Sequence, residues 1–190
     1  MNWRSRLHFA LDPALSIEIE DERYLGSKGH RAAAVLIAIT DRPEPGVILT
    51  QRPTWLRSHA GQVAFPGGKV DDGDENNIAA ALREAHEELN LPPAQVDIIG
   101  VADTYISGSG YSISPVVGVI PPDLPLQANP EEVEDWFEVP LAFLFDPANS
   151  IKKQAAWNGQ LRSYYDIQWG NRRIWGVTAG IIANLVRRLA

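Results

Sequence analysis

The segment Arg83-Glu84-Ala85-His86-Glu87-Glu88-Leu89-Asn90-Leu91 has the spacing of a helix with acid on one side and a core stripe on another. A helix advances 100° per residue. With Glu84 at the origin, Glu87 falls at about −60° and Glu88 at about +40°. Ile78, Leu82, Ala85 and Leu89 fall at about 100–160°, which makes a stripe that can pack on a sheet. Ala80 and Ala81, one turn before the glutamates, are small and leave the approach to the carboxylates open. The pattern predicts a helix from Glu75 to Leu89. Asn90 can take the left-handed position after the last turn, and Pro92-Pro93 prevents continuation.

Strands are expected on both sides of that helix. Residues 31–40 form an apolar run suited to a strand buried on both faces. Pro43, Pro45 and Gly46 make a turn, and 47–52 reads as the returning strand of a hairpin. Residues 53–61 are irregular, and Val63-Ala-Phe65 is short and extended, ending at Pro66-Gly67-Gly68. Three further extended segments are expected at 96–106, 113–120 and 133–139, with Gly108-Ser-Gly110 as a turn. Pro140 to Phe145 can open a short helix. A last helix is expected at 176–189, with Arg187 and Arg188 in its final turn, where the helix dipole favours cations. The polar segment 12–30 should wrap the domain. The class is α/β with a mixed sheet.

The composition narrows the function. A chain of 190 residues and 20.9 kDa is the size of one domain, residues 1–190, and can bury a core without disulfides or a structural metal. It has no cysteine, which removes thiol nucleophiles and zinc ribbons and fits a reducing compartment. A formal charge of −7 argues against charge-driven binding to nucleic acid or anionic lipid. Met1 to Asp12 lacks the apolar core of a signal peptide, and the longest apolar run, Ala32 to Ile39, is too short to span a bilayer. The expectation is a cytoplasmic protein whose partner is a small molecule, with oligomeric state left open. The six tryptophans do not alternate with basic residues as a single-strand platform would, and are expected mainly in the core.

Three carboxylates on one helix face repel one another. At an effective dielectric near 20 and ~6 Å separation, each pair costs on the order of 3 kcal/mol before screening. A hard divalent cation such as Mg²⁺ would offset that repulsion while keeping several of its waters. Taken alone, the three glutamates also describe an ordinary solvated helix face. The preceding Phe65-Pro-Gly-Gly68, whose glycines let backbone approach a phosphate or metal closely, favours the metal.

These residues carry a resemblance. Gly67-Gly68 followed by Arg83-Glu84-Ala85-His86-Glu87-Glu88-Leu89-Asn90-Leu91 resembles the Nudix box of the Nudix hydrolases, placed here at 67–91. Two departures are visible. Asp74 keeps the box's gap from Gly68 and Glu75 keeps its gap to Arg83, so the supporting acid is one of the two; Asn90 stands where the box ends in glycine. Upstream, Ile48-Leu-Thr-Gln-Arg52, Arg57, Gly61 and Phe65-Pro-Gly-Gly68 are similar to the signature of the coenzyme A pyrophosphatase subgroup, with Ile48 and Pro53 as the differences. Relatives in that subgroup carry aspartate where Asp74 sits. Pro115-Val-Val-Gly-Val-Ile-Pro-Pro122 and Trp175-Gly-Val-Thr-Ala179 extend the likeness.

The resemblance implies a Nudix-type α/β/α sandwich with a mixed sheet and a catalytic loop-helix, preceded by an N-terminal extension over 1–30. It implies hydrolysis of a nucleoside diphosphate derivative, with Mg²⁺ or Mn²⁺ held by Glu84 and Glu88, with Glu87 third and the Gly68 carbonyl as a backbone ligand. Coenzyme A would yield 3′,5′-ADP and 4′-phosphopantetheine. Arg83 would hold the loop through Asp74 or Glu75, and Arg52 and Arg57 would bind substrate phosphates. One of the glutamates, or a glutamate from another loop, would serve the water; Glu131 and Glu132, ahead of a strand, read either as such a loop base or as ordinary surface acids. Two alternatives stay open: a pyrophosphatase for ADP-ribose or other nucleoside diphosphate derivatives, and a regulator of the same fold that binds a nucleotide without cutting it.

Overall fold

A computed structural model of the chain describes residues 2–15, 17–23, 29–56, 58–157 and 159–189. Its centre is β1 (Arg31–Thr40), which pairs in parallel with β7 (Tyr111–Ile120) along its whole length. From Ala33 onward only Val35 is more than marginally exposed. Alternation sends Ala33, Ile37 and Ile39 to one face, and Ala34, Leu36 and Ala38 to the other, so each face has its own core.

Around this pair the sheet is mixed, in the order β3 (Val63–Ala64), β2 (Gly46–Gln51), β1, β7, β5 (Asp97–Val101). Three more strands attach antiparallel. β4 (Gly67–Lys69) pairs with β1, β6 (Tyr105–Ser107) with β7, and β8 (Asp135–Pro140) with β2. Helix α2 (Asn77–Leu89) covers one face through Ala80, Ala81, Ala85 and Leu89. Helices α1 (Trp3–Ala10), α3 (Leu141–Leu144) and α4 (Val177–Leu189) contribute to the core on the other. The arrangement is α/β with the mixed sheet that the residue pattern predicts, layered as the α/β/α sandwich that the resemblance implies.

Several elements differ from the sequence reading. Helix α2 starts at Asn77, not Glu75, because the Asn76 side chain accepts hydrogen bonds from the Ile78 and Ala79 amides and caps the first turn. The end is as expected, with Asn90 left-handed at φ 53°. The span 96–106 divides into β5 and β6. Helix α4 begins at Val177, after Gly176 at φ 62°. Two features lay outside the reading. Helix α1 stands within the presumed extension and is tied to α4 by Arg188, which is buried against Asp103 and donates to the Ala10 carbonyl at 2.8 Å. A second, antiparallel sheet is formed by β9 (Ile151–Trp157), β10 (Gln160–Trp169) and β11 (Arg172–Trp175).

The tryptophan side chains that the structure describes are not the core. Trp55 is 65% exposed and Trp175 is also exposed, while Trp3, Trp136 and Trp169 pack on the core's margins. The largest fully buried side chains are leucines and isoleucines, which fill a sheet–helix interface without a polar N–H to satisfy. No helix among the described residues is long and apolar enough to cross a membrane.

Candidate metal centre

The two glycines before α2 explain how a carboxylate face can lie against the sheet. A Cβ on Gly67 would stand 2.4 Å from the Ala34 carbonyl oxygen, so only glycine lets β4 pair this closely with β1. A Cβ on Gly68 would stand 2.6 Å from the Glu84 carboxylate, so that carboxylate rests directly on backbone. The Gly67 amide donates to Glu88 Oε2 at 3.2 Å.

The helix phase then sorts the glutamates. The buried arc of α2 includes Ala80, Ala81 and Ala85, and Glu88 falls inside it at 4% exposure. Glu84 shares this arc yet is half-buried, and Glu87, just outside it, is exposed. Ala80 and Ala81 are wholly buried, so they do not border an open approach. They are small because α2 presses its backbone onto the sheet there, and the carboxylates are reached from the side.

A third carboxylate arrives from elsewhere. Oxygens of Glu84, Glu88 and Glu132 lie within 4.8 Å of one another. Glu132 follows β7 in the connection to β8, and hydrogen bonds to the end of α2 place it. The Gln127 amide donates to the Leu89 carbonyl at 2.9 Å, and the Asn129 amide to the Glu88 carbonyl at 2.8 Å. Both carbonyls lie in the last helical turn, which leaves such groups without helical partners. The Asn129 carbonyl in turn accepts from the Glu132 and Val133 amides, and Val133 is buried beside α2. Glu88 therefore joins β4, α2 and this loop.

The electrostatics fit a divalent cation. Burial pushes the Glu88 carboxyl up to about 8, with Glu84 and Glu132 adding to the effect and the Gly67 amide and Arg52 opposing it. Glu84 is also raised, chiefly by burial and despite Arg83. Three converging hard oxygen donors, one of them nearly dry and met by a single backbone amide, suit Mg²⁺ or Mn²⁺. Glu84, Glu88 and Glu132 are the residues that could hold it.

Arg83 closes the outer side. It donates to Asp74 from Nε and Nη2, each at 3.0 Å, and to the Lys69 carbonyl at 3.0 Å, so it does hold the loop. It also reaches back across its own helix, donating from Nη1 to Glu84 at 3.1 Å and to Glu87 at 3.0 Å. Hydrogen bonding to Arg83 holds the Asp74 carboxyl below the usual range. Asp74 is thus the supporting acid. Glu75 stands exposed ahead of the Asn76 cap.

The sequence-derived residues divide accordingly. Glu84, Glu88 and Gly68 come together, with Arg83 and Asp74 behind them. Glu87 does not join the cluster: it lies beyond the buried arc and pairs with Arg83 on the exposed side. The Arg52 charge opposes the rise of the Glu88 carboxyl, and the Arg52 Nε is buried with no hydrogen-bond partner among the described residues. Arg57 lies outside the described residues. Glu132 was legible only as one of two loop acids ahead of a strand, and the tertiary structure selects it over the exposed Glu131. His59 makes a local contact, its Nδ1 lying 2.9 Å from Gln62 Oε1, and His86 is exposed.

Comparison with known proteins follows this geometry. Residues 29–160 match the NUDIX domain family. Relatives described as an uncharacterized Nudix hydrolase, NudL, occur in Escherichia coli strain K12 and in Shigella boydii serotype 18. Each is 48% identical over 168 residues, covering 84% of this chain and 83% of the relative. Among solved structures, a Nudix hydrolase from M. smegmatis, RenU, matches with TM-score 0.50 and 25% identity, over 60% of this chain and 73% of that one. A C. elegans Ap4A hydrolase binary complex matches with TM-score 0.50 and 24% identity, over 58% and 80%, a likeness of fold.

Proposed function

Because this chain belongs to the Nudix hydrolase family, which acts on phosphoric anhydrides, we propose that it hydrolyses the pyrophosphate of coenzyme A or a derivative, giving 3′,5′-ADP and 4′-phosphopantetheine. The observation that carries the substrate assignment is the upstream pattern Ile48-Leu-Thr-Gln-Arg52, Arg57, Gly61 and Phe65-Pro-Gly-Gly68. It leads straight into the carboxylate cluster, and the Arg52 charge acts on the Glu88 carboxyl. Glu84 and Glu88 are the proposed ligands for Mg²⁺ or Mn²⁺, with Glu132 and the Gly68 carbonyl beside them; Glu87 keeps the supporting place that its bond to Arg83 gives it. A divalent cation held there would supply charge neutralisation at the phosphate oxygens and a more acidic water.

The chain's own groups do the rest. Water attacks one phosphorus, the bond to the bridging oxygen breaks, and that oxygen leaves on the other phosphate. Glu132 comes from outside the helix and is not among the partners of Arg83, so we assign it to orient the water and take its proton. Arg52 and Arg57 offer planar guanidinium donors to substrate phosphates. Asp74 and Arg83 keep the glycine loop against α2. We assign the activity to a single domain, 1–190, working in the cytoplasm on a small-molecule substrate.

Incubation with coenzyme A and Mg²⁺, followed by mass analysis, tests this reading. The two named products support it. Intact coenzyme A beside cleaved ADP-ribose would move the substrate to another nucleoside diphosphate derivative. Binding without cleavage of either would make the protein a regulator, a role that gives no reason for three buried or half-buried carboxylates to converge.

A further inference from the structure

A segment beyond the family match grips both feet of the arginine-bearing loop. Gln51 and Val63 oppose each other across β2 and β3, and the loop from Arg52 to Gln62 leaves one and returns to the other. The Arg52 amide donates to the Gln62 carbonyl at 2.9 Å, and the Gly61 amide to the Arg52 carbonyl at 3.1 Å. Each foot is then held from the C-terminal part of the chain. Arg172, at the start of β11, donates to Gln51 Oε1 at 2.7 Å, pairs with Asp135, and lays its guanidinium 3.9 Å from the centre of the Phe137 ring. Thr178, in the first turn of α4, is buried and donates from Oγ1 to the Val63 carbonyl at 3.1 Å. The stretch Trp175-Gly-Val-Thr-Ala179 ends in this second grip.

The geometry points to Arg172 and Thr178 as positioning residues that fix the arginine loop and so set affinity for the substrate phosphate. Strand β3 has only two residues, so its ladder alone gives the loop a short anchor. Among the described residues the Arg52 Nε has no hydrogen-bond partner, so its placement depends on where the backbone holds it. A surface loop anchored by few contacts opens locally at small free-energy cost, and pinning both ends removes those openings. This inference rests on the reading of Arg52 as a phosphate ligand.

Two measurements separate the inference from that reading. Amide hydrogen exchange of Arg52 and Gly61 in the full chain reads the grip itself. Thr178→Val keeps the size of the side chain but removes the donor; it should speed exchange at both amides and leave α2 unchanged, while Thr178→Ser should behave as wild type. Arg172→Gln should act in the same direction and guards against a folding defect in the valine variant. Unchanged exchange in both variants would overturn the grip. Kinetics on coenzyme A read its consequence. Thr178→Val should raise KM about two- to tenfold with kcat retained. In an Arg52→Ala background the same substitution should add nothing, because the two act as one unit. An equal fall in kcat with or without Arg52 would reduce Thr178 to a stability residue and sink the inference. If Arg52→Ala itself leaves KM unchanged, the phosphate reading fails, and the exchange data still decide whether the grip exists.

Discussion

Helix α2 and the loop from Gln127 to Val133 each deliver carboxylate to the same centre, and they do so by opposite means. In α2 the placement is local: Glu84 and Glu88 are one turn apart, and the helical period puts both at the sheet. In the loop no period operates. Glu132 reaches the cluster because Gln127 and Asn129 satisfy carbonyls that the helix end leaves open. The contrast between Glu87 and Glu132 follows. A glutamate adjacent in sequence to Glu88 is left outside, and one from a distant loop is brought in.

The largest effect should come from the helix side. Glu88→Gln should lower kcat on the order of 10²-fold or more, because a neutral amide is a poorer ligand for a hard cation. It should also raise the metal-free melting temperature, because it removes a buried ionisable group. Near-wild-type turnover at saturating Mg²⁺ would remove Glu88 from the metal set.

The comparison sharpens with the other two glutamates. Glu132→Gln should lower kcat about 10- to 100-fold, and Glu87→Gln, whose loss breaks a surface pair, less than about threefold. Parallel assays at saturating substrate decide it, and equal losses would break the distinction between the loop carboxylate and the outer helix carboxylate.

A pH series tests the cluster without any turnover. The native Glu88 carboxyl, at about 8, holds its proton where an unfolded glutamate is ionised. Between the ordinary glutamate value and about 8 the native state therefore binds more protons, and stability falls as pH rises through that window. Asp74, held low by Arg83, acts in the other direction and only below the ordinary carboxylate range. The metal-free protein should melt higher near about pH 6 than near about pH 8, and Mg²⁺ should shrink the difference by binding the ionised cluster. A metal-free melting temperature that rises over that interval would contradict the buried Glu88.

The smallest effects compare two asparagines. Asn76→Ala removes the helix cap, and Asn129→Ala removes the Oδ1 acceptor for the Glu131 amide. Each should cost roughly 1 kcal/mol of stability. Only Asn129→Ala should raise the Mg²⁺ concentration for half-maximal stabilisation, because only that residue lies on the path to Glu132. Equal shifts in both variants would show that the loop has no separate part in the centre.

Much of the fold was legible where local periodicity meets burial. The apolar run 31–40, the stop at Asn90 and the α2 register all follow from residue order. The β9–β11 sheet was not, because β9 is exposed at every described position from Ile151 to Ala156 and carries no alternation of apolar and polar residues. Helix α1 escaped because its burial rests on Leu7 and Ala10 against distant partners. In the sequence Ala80 and Ala81 read as an open surface, because small residues suit both an unobstructed site and a close helix–sheet contact. Their sequence does not distinguish the two.

The sequence by itself determined the helix that carries Glu84 and Glu88 and the two glycines that admit them to the sheet. These depend on spacings within a few turns of one another, where backbone geometry leaves little choice. Only the tertiary structure decided that Glu132 joins them, that Glu87 does not, and that Asp74, not Glu75, takes Arg83. Those outcomes depend on which face of α2 is buried and on which unsatisfied helix carbonyls a distant loop comes to meet, and packing sets both.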